Sequence, residues 1–207
     1  MGKNFLIAVI VVVGLTQLWM RQPGAVAVVA PPPEVRIAAP TERELPVQRD
    51  IASRSAFDVN GLAVRPLAEY AVTARVLSIE RYHSGRESSL SPVDFALGWG
   101  RMSDPAVVSR LSISQSGRWY HWRYSGEPPI PHREIEVSSA NVHLVPASKE
   151  VARELARAQT GSIVSLRGYL IEAQGSDGWS WRSSLSREDT GDGACEILFV
   201  QAVQISH

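Results

Sequence analysis

The densest run of side chains able to stack, donate or carry charge is Arg118-Trp119-Tyr120-His121-Trp122-Arg123-Tyr124. On a strand, Trp119, His121 and Arg123 share one face, and Tyr120, Trp122 and Tyr124 the other. One face must line a core. The other offers a stacking platform for a sugar or a base, with arginine beside it. Packing across a hairpin accounts for the same rings, because aromatic cross-strand pairs stabilise sheets. Trp179 and Trp181 form a second same-face pair. Trp99 stands between Gly98 and Gly100 in a predicted loop, a poor way to build a core, so it is singled out for binding with Arg101 and Asp104. The candidate binding residues are therefore Trp99, Arg101, Asp104, Trp119, His121, Arg123 and His143.

Nucleophilic chemistry at cysteine needs a thiolate with a nearby histidine. Cys195 is the single cysteine, and His121 or His143 could stand beside it in space. Yet Cys195 opens the apolar string CEILFV, where cysteine packs as a small hydrophobe. His143 is flanked by Val142 and Leu144, which point inward, so it lies with Asn141 on the opposite face and reads as a surface histidine. Asp94, Asp104, Glu134 and Glu136 could serve acid–base work, but no spacing pairs them. Asp189-Thr190-Gly191-Asp192-Gly193 resembles part of a calcium loop and fails its spacing, so a turn is the plainer reading. The histidines at 83, 121, 132, 143 and 207 have no zinc spacing. No phosphate-binding loop, paired Cys-x-x-Cys or nucleophile elbow is present. No catalytic residue, metal ligand or cofactor is assigned.

These groups must be held in place by one domain behind an N-terminal leader. Phe5 to Met20 is apolar, bracketed by Lys3 and Arg21. The 17 residues from Asn4 to Met20 would reach roughly 25 Å as a helix, slightly short of a bilayer core. Snorkelling basic ends and Trp19 at the interface suit a signal anchor. Cleavage after Ala25-Val26-Ala27 is the competing reading. Lys3 favours an N-inside orientation, which Arg21 partly opposes. Residues 1–21 are thus expected to anchor the chain in the cytoplasmic membrane, with the remainder on the periplasmic side.

Six of thirteen prolines fall between Pro23 and Pro46, so residues 22–50 read as a semi-rigid tether without regular structure. Residues 51–207 are long enough for one domain with a proper core. With Lys3 and Arg21 set aside, 19 basic residues face 21 acidic ones, a net of −2. That balance does not predict nucleic-acid binding by bulk charge. One cysteine forms no intramolecular disulfide, so oxidative cross-linking does not explain the fold's stability.

Within the domain, residues 70–82 alternate as a strand, with Val72, Ala74 and Val76 on one side. Residues 84–92 are polar and loop-like. Val93 to Leu97 reads as a short helix capped by Ser91, and Asp104-Pro105 opens another through Leu111. Strands are expected over 117–124, 135–146 and 163–173, with a helix over 148–158 capped by Ser148. The segments 178–185 and 195–205 are expected to form a terminal antiparallel pair. Short strands, glycine-rich turns and a helix between the third and fourth strands predict a mainly β (α+β) domain, as a small OB-like antiparallel barrel. A generic α+β domain with an open sheet is the alternative.

The strings LSPVDFALGWGRMSD (90–104), SANVHLVPA (139–147) and REDTGDGACE (187–196) resemble those of a group of bacterial single-pass membrane-anchored proteins. The resemblance covers most of the chain after the tether and implies an envelope protein; it attaches no activity and no functional residue. The expected role is non-catalytic: a β-rich domain held outside the membrane, binding a protein partner or an envelope polymer. An envelope hydrolase or transferase using Cys195, or a carboxylate with His143, is the second reading. An oligonucleotide-binding barrel inside the cell is the third.

Overall fold

The computed structural model describes residues 30–186, 188 and 195–206. The apolar run 5–20 and the segment 189–194 lie outside these residues. Among the described residues, no helix is long and apolar enough to cross a membrane.

The chain is mainly β. In order, it forms β1 (Val47–Asp50), β2 (Phe57–Val59), β3 (Leu62–Arg81), α1 (Arg86–Leu90), β4 (Val93–Gly98), a 3-10 turn (Gly100–Ser103) and α2 (Pro105–Val108). It continues through β5 (Ser112–Ser116), β6 (Trp119–Arg123), α3 (His132–Val137), β7 (Ser139–Pro146), α4 (Lys149–Arg157), β8 (Ile163–Gln174), β9 (Ser180–Arg182) and β10 (Glu196–Ser206). Strands β3, β4, β7, β10 and β8 pair in that order, and β8 returns to β3, closing the sheet on itself. Only β7–β10 is parallel within this ring.

β3 makes closure possible. Its first part pairs with β8 from Ala63 to Arg75, and its last part with β4 from Arg75 to Arg81. Its register shifts near Pro66–Ala68 and Val76–Ser78, and such bulges bend a strand. The predicted alternation holds: Val72, Ala74 and Val76 face the interior with Phe95, Leu97, Val142, Leu144, Leu166 and Leu198. α4 adds Val151, Leu155 and Ala158 to this core, and the Ser148 hydroxyl accepts the Val151 N–H as its cap.

Two outer layers cover the ring. Val35, Ile37, Phe57, Tyr169, Ile171 and Phe199 pack on one side. On the other, Met102, Ile130 and Ile135 meet the inward rings Tyr120 and Trp122 of the β5–β6 hairpin. The hairpin turns on Gly117 and Arg118, both with positive φ (58° and 71°), which matches the right-handed twist of its strands.

Five expectations need correction. Residues 93–97 are strand β4, not a helix: Val93, Phe95 and Leu97 pack inward while Asp94 and Ala96 face the outer layer, and pairing on both sides overrides the Ser91-Pro92 start signal. The helix in this region is α1, within the stretch read as loop. Residues 135–137 end α3 before β7 begins. β9 pairs with β8, whereas β10 runs between β7 and β8, so the expected terminal pair does not form. Finally, the proline-rich segment is not without structure. Gln201 bonds Val35 N, Pro32 O and Pro33 O, Tyr169 donates to Pro33 O, and β1 joins the sheet. Alternate apolar residues (Val35, Ile37) seat it on the barrel wall despite the prolines.

Candidate functional site

Asp94 and His143 lie directly across from each other on β4 and β7. Strand alternation turns both away from the barrel interior. In an uncovered sheet they would meet water, but Asp94 has no exposure and His143 only 2%. The covering groups are the β5–β6 turn and β9. Arg118, at the turn, sends Nη1 to Asp94 Oδ1 at 2.8 Å and to Ser91 O at 3.0 Å. Its guanidinium also lies over the Tyr82 ring, 3.6 Å from the centroid. Trp181 of β9 packs 4.7 Å from the His143 ring. Alternation sets His143 on the outer face, as the sequence predicts, but β9 and the β5–β6 turn bury it there instead of leaving it at the surface.

The turn is fixed from a second direction. Asn141, beside His143 on the outer face of β7, donates through Nδ2 to Arg118 O at 2.9 Å, and Gln115 Nε2 donates to Asn141 Oδ1 at 2.7 Å. The Ser91 hydroxyl reaches Asp94 Oδ1 at 3.3 Å. A buried carboxylate is tolerable only with such company. Burial pushes the Tyr82 hydroxyl up to about 12, the Asp94 charge adding to the effect and Arg118 opposing it. Tyr82 therefore stays neutral beside the pair. The His143 Nδ1 lies 2.8 Å from Asp94 Oδ2.

A cavity of about 390 Å³ opens above this network. His143, Trp181 and Cys195 line it together with Arg118, Trp119 and Trp179, and Glu87 and Arg182 stand at it. Three tryptophans from two separate hairpins thus reach one concavity. Trp181 has His143 and Arg118 against it, and Trp179 has Arg86 over it at 5.4 Å. Trp119, 36% exposed, is the ring most open to a ligand.

Of the residues expected from sequence to bind, only Trp119 and His143 share this cavity. Trp99 is 1% exposed and belongs to the barrel core. The glycines around it do not present it to solvent; they let the chain fold its ring inward. A Cβ at Gly98 would stand 2.4 Å from Met102 O, and Gly100 has φ of 56°. Arg101 is committed to a two-pronged pair with Glu134. Asp104 caps α2 by accepting the Ala106 N–H at 2.9 Å, as its Asp-Pro start signal predicts. His121 and Arg123 line a different, open depression on the hairpin's outer face, with Ser114.

The sequence alone singles out neither Arg118, Ser91 nor Asn141 for this site and shows no partner for Asp94. The available signal was Gly117-Arg118 between two alternating runs, a hairpin turn that forces a charged residue to a fixed tip. Among the described residues, no group of three His, Cys, Asp or Glu could hold a metal ion. No family model, no curated protein and no solved structure matches this chain.

Proposed function

We propose that the domain is an OB-type barrel serving as a non-catalytic glycan-binding module, anchored in the cytoplasmic membrane through residues 5–20 and facing the periplasm. The strand ring β3-β4-β7-β10-β8, with its single parallel pair and α4 between the third and fourth barrel strands, supports the barrel reading. OB barrels take ligands on the outer face of their second and third strands, between the loops after strands one and four. Here those are β4–β7, the α1 connection bearing Glu87, and the β9 connection bearing Trp179, Trp181 and Arg182.

The observation that carries the reading is this convergence of three tryptophans on the cavity above Asp94 and His143. Charge favours a sugar polymer over an oligonucleotide. Arg118 is paired with Asp94, and Arg182 lies 3.4 Å from Glu172, while Glu87 adds a negative charge. A phosphate backbone would meet no surplus positive charge, whereas indole faces and neutral donors suit sugar rings.

Titrating the full chain in detergent micelles with cell-wall glycan oligomers is expected to shift tryptophan fluorescence saturably. Trp119→Ala is expected to weaken that binding about tenfold, a stacking contribution of the size seen for aromatic platforms, and to leave the unfolding midpoint unchanged. No saturable shift, or salt-sensitive binding of oligothymidylate in its place, overturns the glycan reading. A periplasm-active reporter fused after residue 207 tests the placement, and activity only from the cytosol overturns it.

A further inference from the structure

The short helix α1 is clamped against the β8–β9 hairpin. Arg86 donates Nη1 and Nη2 to the two carboxylate oxygens of Asp177, at 3.0 and 2.5 Å, and its guanidinium lies over Trp179. From the β2–β3 turn, Asn60 Nδ2 donates to Ser89 O at 2.6 Å. Held in this way, α1 brings Glu87 to the 390 Å³ cavity on which Trp119, Trp179 and Trp181 converge. The arginines there all have carboxylates. Arg118 is bonded to Asp94 at 2.8 Å, Arg86 to Asp177, and Arg182 lies 3.4 Å from Glu172, which Arg65 also reaches at 3.7 Å. Glu87 is half-buried, and among the described residues no cationic nitrogen stands within ion-pair reach of its carboxylate. The indoles repeat the pattern. Arg86 lies over Trp179 at 5.4 Å and Arg118 over Trp181 at 5.5 Å, whereas Trp119, the most open ring, has no cation over it among the described residues. A partly desolvated carboxylate without a counter-charge, in one cavity with a free indole face, suits a cationic group on a ligand.

We propose that the glycan taken by this cavity carries a free ammonium group, as a de-N-acetylated hexosamine unit does. The sugar ring stacks on Trp119, and its ammonium donates to the Glu87 carboxylate in a charge-assisted hydrogen bond. This inference rests on the glycan reading and narrows it to a cationic sugar. An N-acetylated unit would leave the Glu87 charge unmatched, and a carboxylated one would set like charges together. The arginines do not reverse that preference. Arg118 and Arg86 are each neutralised by a bonded carboxylate, and Arg182, 53% exposed, is screened by water as well as by Glu172.

The full chain in detergent micelles is titrated with oligomers of glucosamine and of N-acetylglucosamine of equal length, in one mildly acidic buffer that keeps the amines protonated. Tryptophan fluorescence reports binding. The glucosamine oligomer is expected to bind about tenfold more tightly, the size of one hydrogen bond to a charged group. Glu87→Gln is expected to bring the ratio of the two affinities to about one. Equal wild-type affinities overturn the ammonium proposal and leave the glycan reading standing. A preference that survives in folded Glu87→Gln overturns the assignment to Glu87. Saturable binding of neither oligomer overturns both the proposal and the reading beneath it. Should Glu87→Gln not fold, the wild-type comparison of the two oligomers decides.

Discussion

Asp94→Ala is expected to lower the unfolding free energy by about 3–5 kcal/mol, the range for removing one partner of a buried ion pair. The loss arises from what remains. Arg118, 18% exposed, would keep its charge between Tyr82 and Trp181 with only Ser91 O as acceptor. His143 and Asn141 would lose the carboxylate they face. The turn at Gly117-Arg118 would lose its charged tie and keep only the bonds to Ser91 O and from Asn141 Nδ2, so the hairpin should detach first, and hydrogen exchange in β5 and β6 should rise before that in β3 or β8. Equilibrium urea denaturation gives the magnitude. The double variant Asp94→Asn/Arg118→Met removes both charges and should sit closer to wild type than the two single losses added together. A single-variant loss under about 1 kcal/mol would mean that the network contributes as little as a surface pair.

That network explains what could and could not be read from sequence. β3 and α4 were legible because their own periodicity decides them: Val72, Ala74 and Val76 at spacing two, Val151, Leu155 and Ala158 along one helical face. The α2 cap was legible because Asp104-Pro105 is a local signal. β4 was not, since Ser91-Pro92 ahead of Asp94-Phe95-Ala96-Leu97 resembles a helix start, and only its two neighbours in the sheet determine the strand. Asn60-Gly61, with φ of 53° and 83°, turns β2 into β3, a local hairpin signal that the strand expected only from residue 70 leaves unused.

The site is built almost wholly from distant pairs. Asp94 meets His143 through sheet register and Arg118 through a hairpin folded across that sheet, and His143 meets Trp181 through a strand added after β8. No spacing in one dimension encodes those meetings. The same absence explains Trp99. Its flanking glycines read as a flexible loop, but each is set by a local geometric need, and together they turn the ring into the barrel.

Gly168→Ala is expected to be the most damaging single-methyl change in the described chain, costing at least about 4 kcal/mol and leaving little folded protein. Gly168 lies in β8 between Tyr70 of β3 and Val200 of β10. There β10 shifts register between Val200 and Ala202, and the barrel wall bends. A Cβ on Gly168 would stand 1.9 Å from Phe199 O and 2.9 Å from Phe199 C. Both are main-chain atoms of a strand pinned by β7 on its other side, so no side-chain rotation gives relief. Relief would require β8 and β10 to part, which breaks the ring and strips cover from Leu166, Leu170 and Leu198 together. Gly126→Ala is the control. That glycine has φ of 73° with nothing within 4 Å of a built Cβ, so only the left-handed backbone penalty of about 1–2 kcal/mol applies. Far-UV dichroism and urea midpoints of the two variants separate steric closure from backbone strain. If Gly168→Ala unfolds no more easily than Gly126→Ala, the wall is not closed at this point, and the outer face of β4 and β7 loses the rigid support on which the Asp94–His143 cavity depends.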